Sequence, residues 1–460
     1  MKVDFEPLDA AIEMSLAGGA DAAEVFFERE LGLTVKVFKE HVEKFSSSDA
    51  RGIGLRVYVG DRPGRAYTSD LSRQSIEGAV ESALASARVS PEDSLRALPD
   101  TGLFPPGALE GKLLGDDLGI WGEDLGAVPA GEKIEFALSM ERLARERDVR
   151  VTGVETAAYS ESTVQVLLAS SLGFRSGYRS STCYGYLMAI AEDAGDSQTG
   201  FGFTAGRSFG ELNAVEASQE AATRAIDVLG ARQVETAKVP VLFDNLSTAE
   251  LIALLGVALN GEAVVKGRSF MAGRLGEKIA SDVVDLVDDS LLERGFGTAP
   301  FDAEGVATSS KKPVEGGVLA AFLHNCYTAR RAGTMSTGNA DRSSYRSSVG
   351  VGHTNLLLNP GSATPEELRS EMKTGFEVLE IQGAHAGLNP VTGEVSVGAK
   401  GRWIDKGRRA HAVREVTIAG TMEEILGGVV GIGNDFRLTP LMGSVGTPSI
   451  LVSGLVVGGK

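Results

Sequence analysis

The side chains best suited to bind a metal ion or to transfer a proton are few and widely spaced. The five histidines are His41, His324, His353, His385 and His411. Because no two of them are three or four positions apart, a single helix cannot present two imidazoles to one metal ion. The tripeptide His324-Asn325-Cys326 comes closest to a pair of metal ligands, but it has no obvious third partner. The sequence therefore favours a buried structural role for this tripeptide over a metal site.

Other catalytic constellations have little support. Cys183 and Cys326 lie far apart in the sequence and match neither a disulfide framework nor a paired-cysteine zinc motif, so we expect both to be buried. The sequence has no Gly-x-Ser-x-Gly elbow and no phosphate-binding loop with its lysine. Asp302 and Glu304 could share one face of a strand and form an acid–base couple. We favour the simpler interpretation, in which these two carboxylates cap a turn at a solvated rim.

Polar residues in glycine-rich turns of the second half are the remaining candidates for a binding pocket. These candidates are His385, Asn389, Asn434 and Asp435. Asn and Asp side chains in such turns more often hydrogen-bond to the local backbone, and the sequence favours that turn-stabilising role.

The composition limits the classes of protein that this chain can belong to. The 460 residues are 43% hydrophobic and 23% charged, as in ordinary globular proteins, and the length predicts two domains of ~100–200 residues or somewhat more. A net charge of −17 argues against direct binding to nucleic acid. No run of ~18 apolar residues is present, and the first residues are too acidic for a signal peptide, so the sequence predicts a cytoplasmic protein without a membrane span.

Periodicity predicts a mixed α and β first half. Helical spacing of apolar residues is found at 7–17, 72–89, 133–146 and 210–229. Alternating apolar and polar residues predict a pair of strands within 22–38, and further strands at 53–59, 149–159, 163–169 and 184–192. The stretch 90–131 is rich in Pro, Gly and Asp and is predicted to be a long connection.

The second half is predicted to consist of short strands with few helices. The segment 236–240 marks the expected boundary, which divides the chain into domains 1–237 and 238–460. A short strand at 241–243 precedes a helix, for which Ser247 and Glu250 form a capping-box signature. That helix contains residues 252–257, which read Ile-Ala-Leu-Leu-Gly-Val. Further helices are expected at 365–375 and 421–430, with glycine-punctuated strands elsewhere.

Several longer motifs resemble one protein family. They are GADAAEV at 19–25, GIGLRV at 52–57, GRSFMAGRLGE at 267–277, STGNA at 336–340, GLNPVTGE at 387–394 and IGND at 432–435. Together they resemble the TldD/PmbA family, once described as modulators of DNA gyrase and better understood as metallopeptidases. The resemblance extends over nearly the whole chain. It implies a two-domain α+β fold that forms dimers, with an N-terminal mixed α/β domain and a C-terminal domain rich in antiparallel strands.

The resemblance also points to the place where this chain departs from the peptidase motif. The TldD branch carries His-Glu-x-x-x-His on a helix and a cysteine near the C-terminus, which together form a zinc site. An ungapped count from Gly267 and Ser269 aligns the first histidine with Ile252, the glutamate with Ala253 and the second histidine with Val257. The cysteine aligns with or beside Met442. The catalytic and metal residues are therefore expected to be absent, and Ile252, Ala253 and Val257 are expected to pack in the core.

This pattern resembles the PmbA branch, also called TldE. The resemblance implies a non-catalytic subunit without a cofactor of its own, which pairs with a TldD-type subunit that holds zinc and acts on unfolded peptides. Two alternatives remain open. One is a hydrolase with a relocated metal site that uses some of His324, Cys326, His353 and His385. The other is a homodimer that binds extended peptides by strand addition at an exposed sheet edge.

Overall fold

The first half of the chain forms one large sheet flanked by helices. The structure is a computed structural model that describes residues 3–460, with the side chain of His385 also outside the described part. The strands of this half are β1 (Ala22–Phe38), β2 (His41–Val59), β3 (Arg62–Thr68), β4 (Lys112–Leu113), β5 (Val151–Ser170), β6 (Arg175–Asp193) and β7 (Asp196–Gly206). The helices are α1 (Glu6–Ala17), α2 (Arg73–Val89), α3 (Ala130–Arg147) and α4 (Ala214–Asp227).

The first sheet has the order β3-β2-β1-β5-β6, and both β4 and β7 pair with β6. All of these pairs are antiparallel except β4 with β6. Two predictions were wrong here, because 22–38 is one strand of 17 residues rather than a pair, and the two strands predicted within 149–169 are one strand of 20 residues. Polar runs that looked like breaks, such as Glu161-Ser162-Thr163, lie inside β5 and face a cleft described below on alternate residues.

Small residues allow the helices to approach this sheet closely. A Cβ atom built on Gly64 of β3 would lie 2.1 Å from the carbonyl oxygen of Ala83 in α2, and one built on Gly202 of β7 would lie 2.1 Å from that of Ala217 in α4. Any side chain at either glycine would therefore push the helix away. The helix predicted at 72–89 is confirmed as α2, and Ser72 caps it by accepting a hydrogen bond from the backbone of Ser75.

The second half contains two larger sheets and a small ladder. Its strands are β8 (Ala237–Phe243), β9 (Leu286–Asp289), β10 (Ser310–Glu315), β11 (Val318–Leu319), β12 (Ala340–Asp341), β13 (Gly350–Val351), β14 (Leu356–Leu358), β15 (Gly375–Gln382), β16 (Glu394–Asp405), β17 (Arg408–Thr421), β18 (Val429–Ile432), β19 (Arg437–Thr439), β20 (Val445–Thr447) and β21 (Ile450–Gly458). Its helices are α5 (Asn245–Ala258), α6 (Gly261–Val265), α7 (Cys326–Ala332), α8 (Pro365–Met372) and α9 (Met422–Gly427).

One of these sheets closes into a ring of five strands. The order is β17-β16-β15-β8-β21, and β21 pairs again with β17. β8 and β15 run parallel, whereas the other neighbours in the ring are antiparallel. The second sheet has the order β11-β10-β9-β14-β20-β19, and β12 pairs with β13. Buried side chains of the ring, of α5 and of the second sheet form one continuous core.

These observations confirm the predicted α+β fold with antiparallel strands dominating the second half. The strands of the first sheet come from residues 22–206 and those of the other sheets from residues 237–458. The division into independent domains at residue 237 stays a prediction. Within residues 3–460, none of the helices has both the length and the apolar character needed to cross a membrane.

Candidate functional site

Helix α5 carries residues 252–257, and it begins earlier than the sequence suggested. Its N-cap is Asp244, whose Oδ1 accepts a hydrogen bond of 2.8 Å from the backbone N–H of Ser247. The capping box predicted from Ser247 and Glu250 was therefore wrong, because Ser247 lies buried within the first turn. Asp244 also forms an ion pair of 2.6 Å with Arg224 of α4. The start of α5 is thus tied to the helices of the first half.

The three aligned motif positions face different surroundings. Ile252 is 1% exposed and belongs to the core, and Ala253 is partly buried against that core. Val257 is 52% exposed, so the prediction that it packs in the core was wrong. Positions 252 and 257 are five residues apart, which turns them ~140° from each other around a helix with 3.6 residues per turn. A core-facing Ile252 therefore leaves Val257 on the outer side.

The residues at the aligned positions do not fit a zinc ion. Zinc is bound by imidazole, thiolate or carboxylate groups, and the side chains of Ile252, Ala253 and Val257 have none of these donors. The thioether of Met442 is partly buried against the same core as Ile252. Across the described residues, no three or more His, Cys, Asp or Glu side chains form a group that could hold a metal ion.

The residues of the relocated-site alternative lie in separate environments. His324 is buried, with Nδ1 3.1 Å from the hydroxyl of Thr328, and burial lowers the pKa of this histidine. Cys326 is buried as predicted, and burial followed by the charge of Glu304 raises the pKa of its thiol. His353 lies instead beside α5 and the loop before β20. The side chain of His385 is outside the described residues.

A cleft of about 710 Å³ lies between the first sheet and loops of the second half. Its floor consists of side chains that alternate along four neighbouring strands. These are Ser46 and Ser48 of β2, Phe26, Glu28, Glu30 and Thr34 of β1, Ser160, Ser162, Val164 and Val166 of β5, and Tyr178, Thr182 and Tyr184 of β6. Hydroxyl groups and carboxylates therefore make up much of this surface.

The roof of the cleft includes His353 and meets α5 at a glycine. A Cβ atom built on Gly256 would lie 3.0 Å from Nδ1 of His353, and one built on Gly443 would lie 3.3 Å from its Nε2. The imidazole therefore lies close to the backbone at both glycines. Gly256 is about one helical turn after Ile252 in α5, and Gly443 directly follows Met442. Nε2 of His353 is buried and has no hydrogen-bond partner among the described residues. A buried ring nitrogen without a partner is uncommon, which makes His353 a residue of interest in the roof.

Four buried charges join the two halves at one side of this cleft. Arg56 of β2 donates to Glu24 at 2.7 Å and to Glu304 at 2.7 Å, and Arg342 forms a second ion pair with Glu24. The two carboxylates are 1% and 2% exposed. Burial alone would raise the pKa of Glu304, but the adjacent Arg56 outweighs burial and holds this pKa below its usual value. The network balances two positive charges with two negative ones.

Asp302 lines the cleft and caps a turn, as the favoured interpretation of the sequence held. Its carboxylate accepts hydrogen bonds from the backbone N–H groups of Glu304, Val306 and Ala340. Burial and then the charge of Glu304 raise the pKa of Asp302, whereas the three N–H donors lower it. The predicted solvated rim was wrong, because both carboxyl groups are buried. Their oxygens are held by backbone N–H groups and by Arg56.

Of the predicted pocket candidates, Asn389, Asn434 and Asp435 lie in loops and are not among the cleft-lining residues, whereas the side chain of His385 is outside the described residues. Asn389 accepts hydrogen bonds from the backbone of Val391 and Thr392. Asp435 accepts from both the backbone and the hydroxyl of Ser449, and Asn434 donates to the carbonyl oxygen of Ser362. The contacts of Asn389 are those of a local turn, as the sequence favoured, whereas Asn434 and Asp435 bond to segments distant in the sequence.

The cleft residues that sequence reasoning missed are Glu28 and Glu30. The segment Phe-Glu-Arg-Glu at 27–30 places both carboxylates on one face of β1, which period-two alternation alone could have revealed. That this face lines a cleft depends on loops more than 250 residues later in the chain.

Comparisons with known proteins identify the family. Three profiles of the PmbA/TldA metallopeptidase family match the chain: domain 1 over residues 23–87, the central domain over 123–229 and the C-terminal domain over 236–459. The metalloprotease PmbA of Escherichia coli O157:H7 is 30% identical over 456 residues, which cover 98% of this chain and 96% of that protein.

Solved structures agree with this relationship. A Thermotoga maritima protein named as a candidate modulator of a DNA gyrase is 28% identical, with a TM-score of 0.89, and the match covers 98% of this chain and 99% of that one. TldE from Thermococcus kodakarensis shares the fold at 24% identity, with a TM-score of 0.84 over 98% of this chain and 100% of that one. The chain belongs to the TldD/PmbA family.

Proposed function

We propose that this chain is the PmbA (TldE)-type subunit of a two-subunit zinc metallopeptidase that acts on unfolded peptides, and that it does not itself hold zinc. The observation that carries the proposal is the absence of metal-binding groups at Ile252, Ala253 and Val257, within a chain that otherwise keeps the family fold. A TldD-type partner would hold the zinc ion, whose chemistry is to lower the pKa of a bound water toward ~7. A cytoplasmic location stays a prediction.

In this proposal the residues of this chain bind and orient the peptide. The cleft has hydroxyl donors and acceptors on its floor, such as Thr34 and Ser160, whose oxygens are 3.2 Å apart. His353, in the roof of the cleft, adds its Nε2 atom, which has no hydrogen-bond partner among the described residues. Groups of this kind can pair with the amides of an extended peptide, which must exchange its hydrogen bonds to water for bonds inside the cleft.

Co-purification with zinc analysis tests the proposal. The chain, expressed alone and dialysed against zinc, should retain no stoichiometric metal and should not cleave an unfolded casein substrate. Co-expression with a partner that carries His-Glu-x-x-x-His should give a stable pair with one zinc ion and peptidase activity. A matched control replaces the first histidine of that partner with alanine and should abolish activity without separating the pair. Zinc-dependent cleavage by this chain alone would refute the proposal.

A homodimeric peptide-binding protein is the second candidate, and one feature favours it. Strand β2 pairs with β3 only from Ile53 onward, so its residues 41–52 pair with β1 alone among the described strands. The side chains of this segment are largely exposed, and such an edge can accept an added strand. Light scattering gives the mass of the free chain, and hydrogen exchange at residues 41–52 reports strand addition. Protection of these amides by an unfolded peptide, without any partner, would favour this second candidate.

A further inference from the structure

The cleft contains more negative charge than its own residues neutralise. Glu28 accepts a hydrogen bond of 2.8 Å from the backbone of Tyr345, and Glu30 accepts one of 2.8 Å from the hydroxyl of Ser162. Neither carboxylate has a Lys or Arg partner within ion-pair distance among the described residues. Burial raises the pKa of Glu28. The hydrogen bond from the Tyr345 N–H acts in the opposite direction, and the charge of Glu30 raises this pKa further. A cation brought into the cleft would relieve this pair of unneutralised carboxylates.

The other acidic groups in the cleft are already occupied or add to its negative charge. Glu161 is paired with Lys133 at 2.7 Å, and Asp302 is held by backbone N–H groups. Asp341 is exposed at the cleft and has no ion pair among the described residues. Arg342 is the only Lys or Arg among the cleft-lining residues, and Glu24 already neutralises it. The field in the cleft is therefore negative and favours positively charged ligands.

Two further polar atoms distinguish a peptide from a simple cation. The side chain of Arg342 is 4% exposed, and its Nε atom has no hydrogen-bond partner among the described residues. Nε2 of His353 is also without a partner. Arg342 can donate only to an acceptor such as a peptide carbonyl, which a bare metal ion or an alkylammonium ion does not offer. Both nitrogens lie beneath the surface of the cleft, so a peptide carbonyl would reach them only after a small shift of the Arg342 or His353 side chain.

We infer that the cleft preferentially binds extended peptide segments that carry Lys or Arg side chains, and that Glu28 and Glu30 set this preference. The inference rests on the proposed function only in taking a peptide as the ligand. Glu28 and Glu30 are two positions apart on one face of β1, which separates them by ~7 Å. Side chains at positions i and i+2 of an extended peptide have the same spacing, so basic residues at alternate positions would match both carboxylates.

Direct binding to the purified full-length chain tests the preference. The probes are three fluorescein-labelled peptides with the same frame, Gly-Ser-X-Ser-X-Ser-Gly, in which X is Lys, Gln or Glu. Fluorescence anisotropy at low and at physiological salt gives the affinities. The Lys peptide should bind roughly tenfold or more tightly than the Gln peptide, and the Glu peptide should bind most weakly, with the differences shrinking as salt rises.

Matched variants locate the preference in the cleft. The double variant Glu28→Gln/Glu30→Gln should reduce the ratio between the Lys and Gln peptides to about twofold, with little change for the Gln peptide. The control Glu77→Gln/Glu81→Gln removes the same charge from exposed positions of α2, outside the cleft, and should keep the ratio of the unaltered protein. Thermal unfolding confirms that both variants are folded.

Three results would overturn the inference. These are equal affinity for the Lys and Gln peptides, an equal loss of preference in both double variants, and no binding of any probe by the folded chain. None of these results bears on whether the chain supports a zinc-containing partner, because the casein assay measures that separately. Conversely, a chain that fails to activate any partner can still show the charge preference in this assay.

Discussion

Replacing Arg56 with leucine should cause a large loss of stability. Arg56 lies directly opposite Glu24 in the pairing of β1 with β2, and it also reaches Glu304 in the second half at 2.7 Å. After the substitution Glu24 keeps Arg342, but Glu304 retains only the backbone N–H and the thiol of Cys326 as donors among the described residues. Glu304 would then be a buried negative charge without a cation.

The cost of this uncompensated charge can be estimated. Removing one partner of a buried ion pair typically costs ~3–5 kcal/mol of the free energy of unfolding. With a urea dependence of ~3 kcal/mol per molar, that loss would lower the midpoint of urea unfolding by roughly 1 M or more. The control is Arg29→Leu on the same two strands, whose pair with Asp49 has side chains 30% and 51% exposed. Its effect on the midpoint of urea unfolding should be small, because exposed ion pairs are screened by solvent.

The pH dependence gives a second, independent test of the same substitution. In the unaltered protein Arg56 holds the pKa of Glu304 below its usual value, so the stability that Glu304 contributes is present above its ordinary pKa and is lost as the pH falls through the folded pKa. In Arg56→Leu, burial acts on Glu304 against only the hydrogen bonds from Cys326, and it raises this pKa above the unfolded value. The deficit of the variant should therefore shrink between pH 8 and pH 5, as protonation removes the buried charge.

Urea unfolding at both pH values measures these effects, and tryptophan fluorescence follows the two halves. Trp121 lies near β6, where Arg179 stacks on its ring at 4.8 Å, and Trp403 lies in β16 of the second half. If Arg56→Leu lowers the midpoint no more than Arg29→Leu does, or if the deficit is the same at pH 5 and pH 8, the buried network does not carry the energy assigned to it.

Two further predictions concern packing. Ile252→Ala should lower the free energy of unfolding by ~2–5 kcal/mol, because it leaves a cavity in the core. Val257→Ala, at an exposed position, should change this free energy by no more than ~0.5 kcal/mol. Equal effects of the two substitutions in thermal unfolding would contradict the orientation of α5. Gly401→Ala should separate β15 from β16, because its Cβ would lie 1.9 Å from the carbonyl oxygen of Glu377. Gly427→Ala meets no atom within 4 Å, so its midpoint of urea unfolding should stay close to that of the unaltered protein.

Apolar periodicity was sufficient to predict the helices of the first half. The helix predicted at 72–89 became α2, with Ser72 as its cap, and the helix predicted at 133–146 became α3 with a few additional residues. Strand lengths were less predictable, because β5 continues through a polar run whose alternate residues line a cleft. Local sequence cannot reveal that a polar strand face is covered by loops from another part of the chain.

The candidate site depended still more on the folded structure. His353 was considered as one of several scattered histidines, and only the fold brings it next to Gly256 and Gly443 in the cleft roof. Glu28 and Glu30 alternate along β1 and so share one face of the strand, but nothing near them in the sequence marks that face as part of a cleft. The spacing of Asp302 and Glu304 predicts a pair, but not their burial. Glu304 is held by Arg56 and Asp302 by the backbone of Ala340, and both partners are distant in the sequence.

Helix α5 shows how apolar residues at positions 252 and 257 fit the fold. Ile252 is almost fully buried, and burial of such a side chain contributes ~1.5–3 kcal/mol relative to its exposure to water. An imidazole at the same position would have to replace that contribution and find hydrogen-bond partners in an apolar core. Val257 points ~140° away from Ile252, so histidines at both positions would need the surrounding loops to bring a third ligand between them. Ile252 is therefore part of the core, while the cleft beside Gly256 is lined by polar groups.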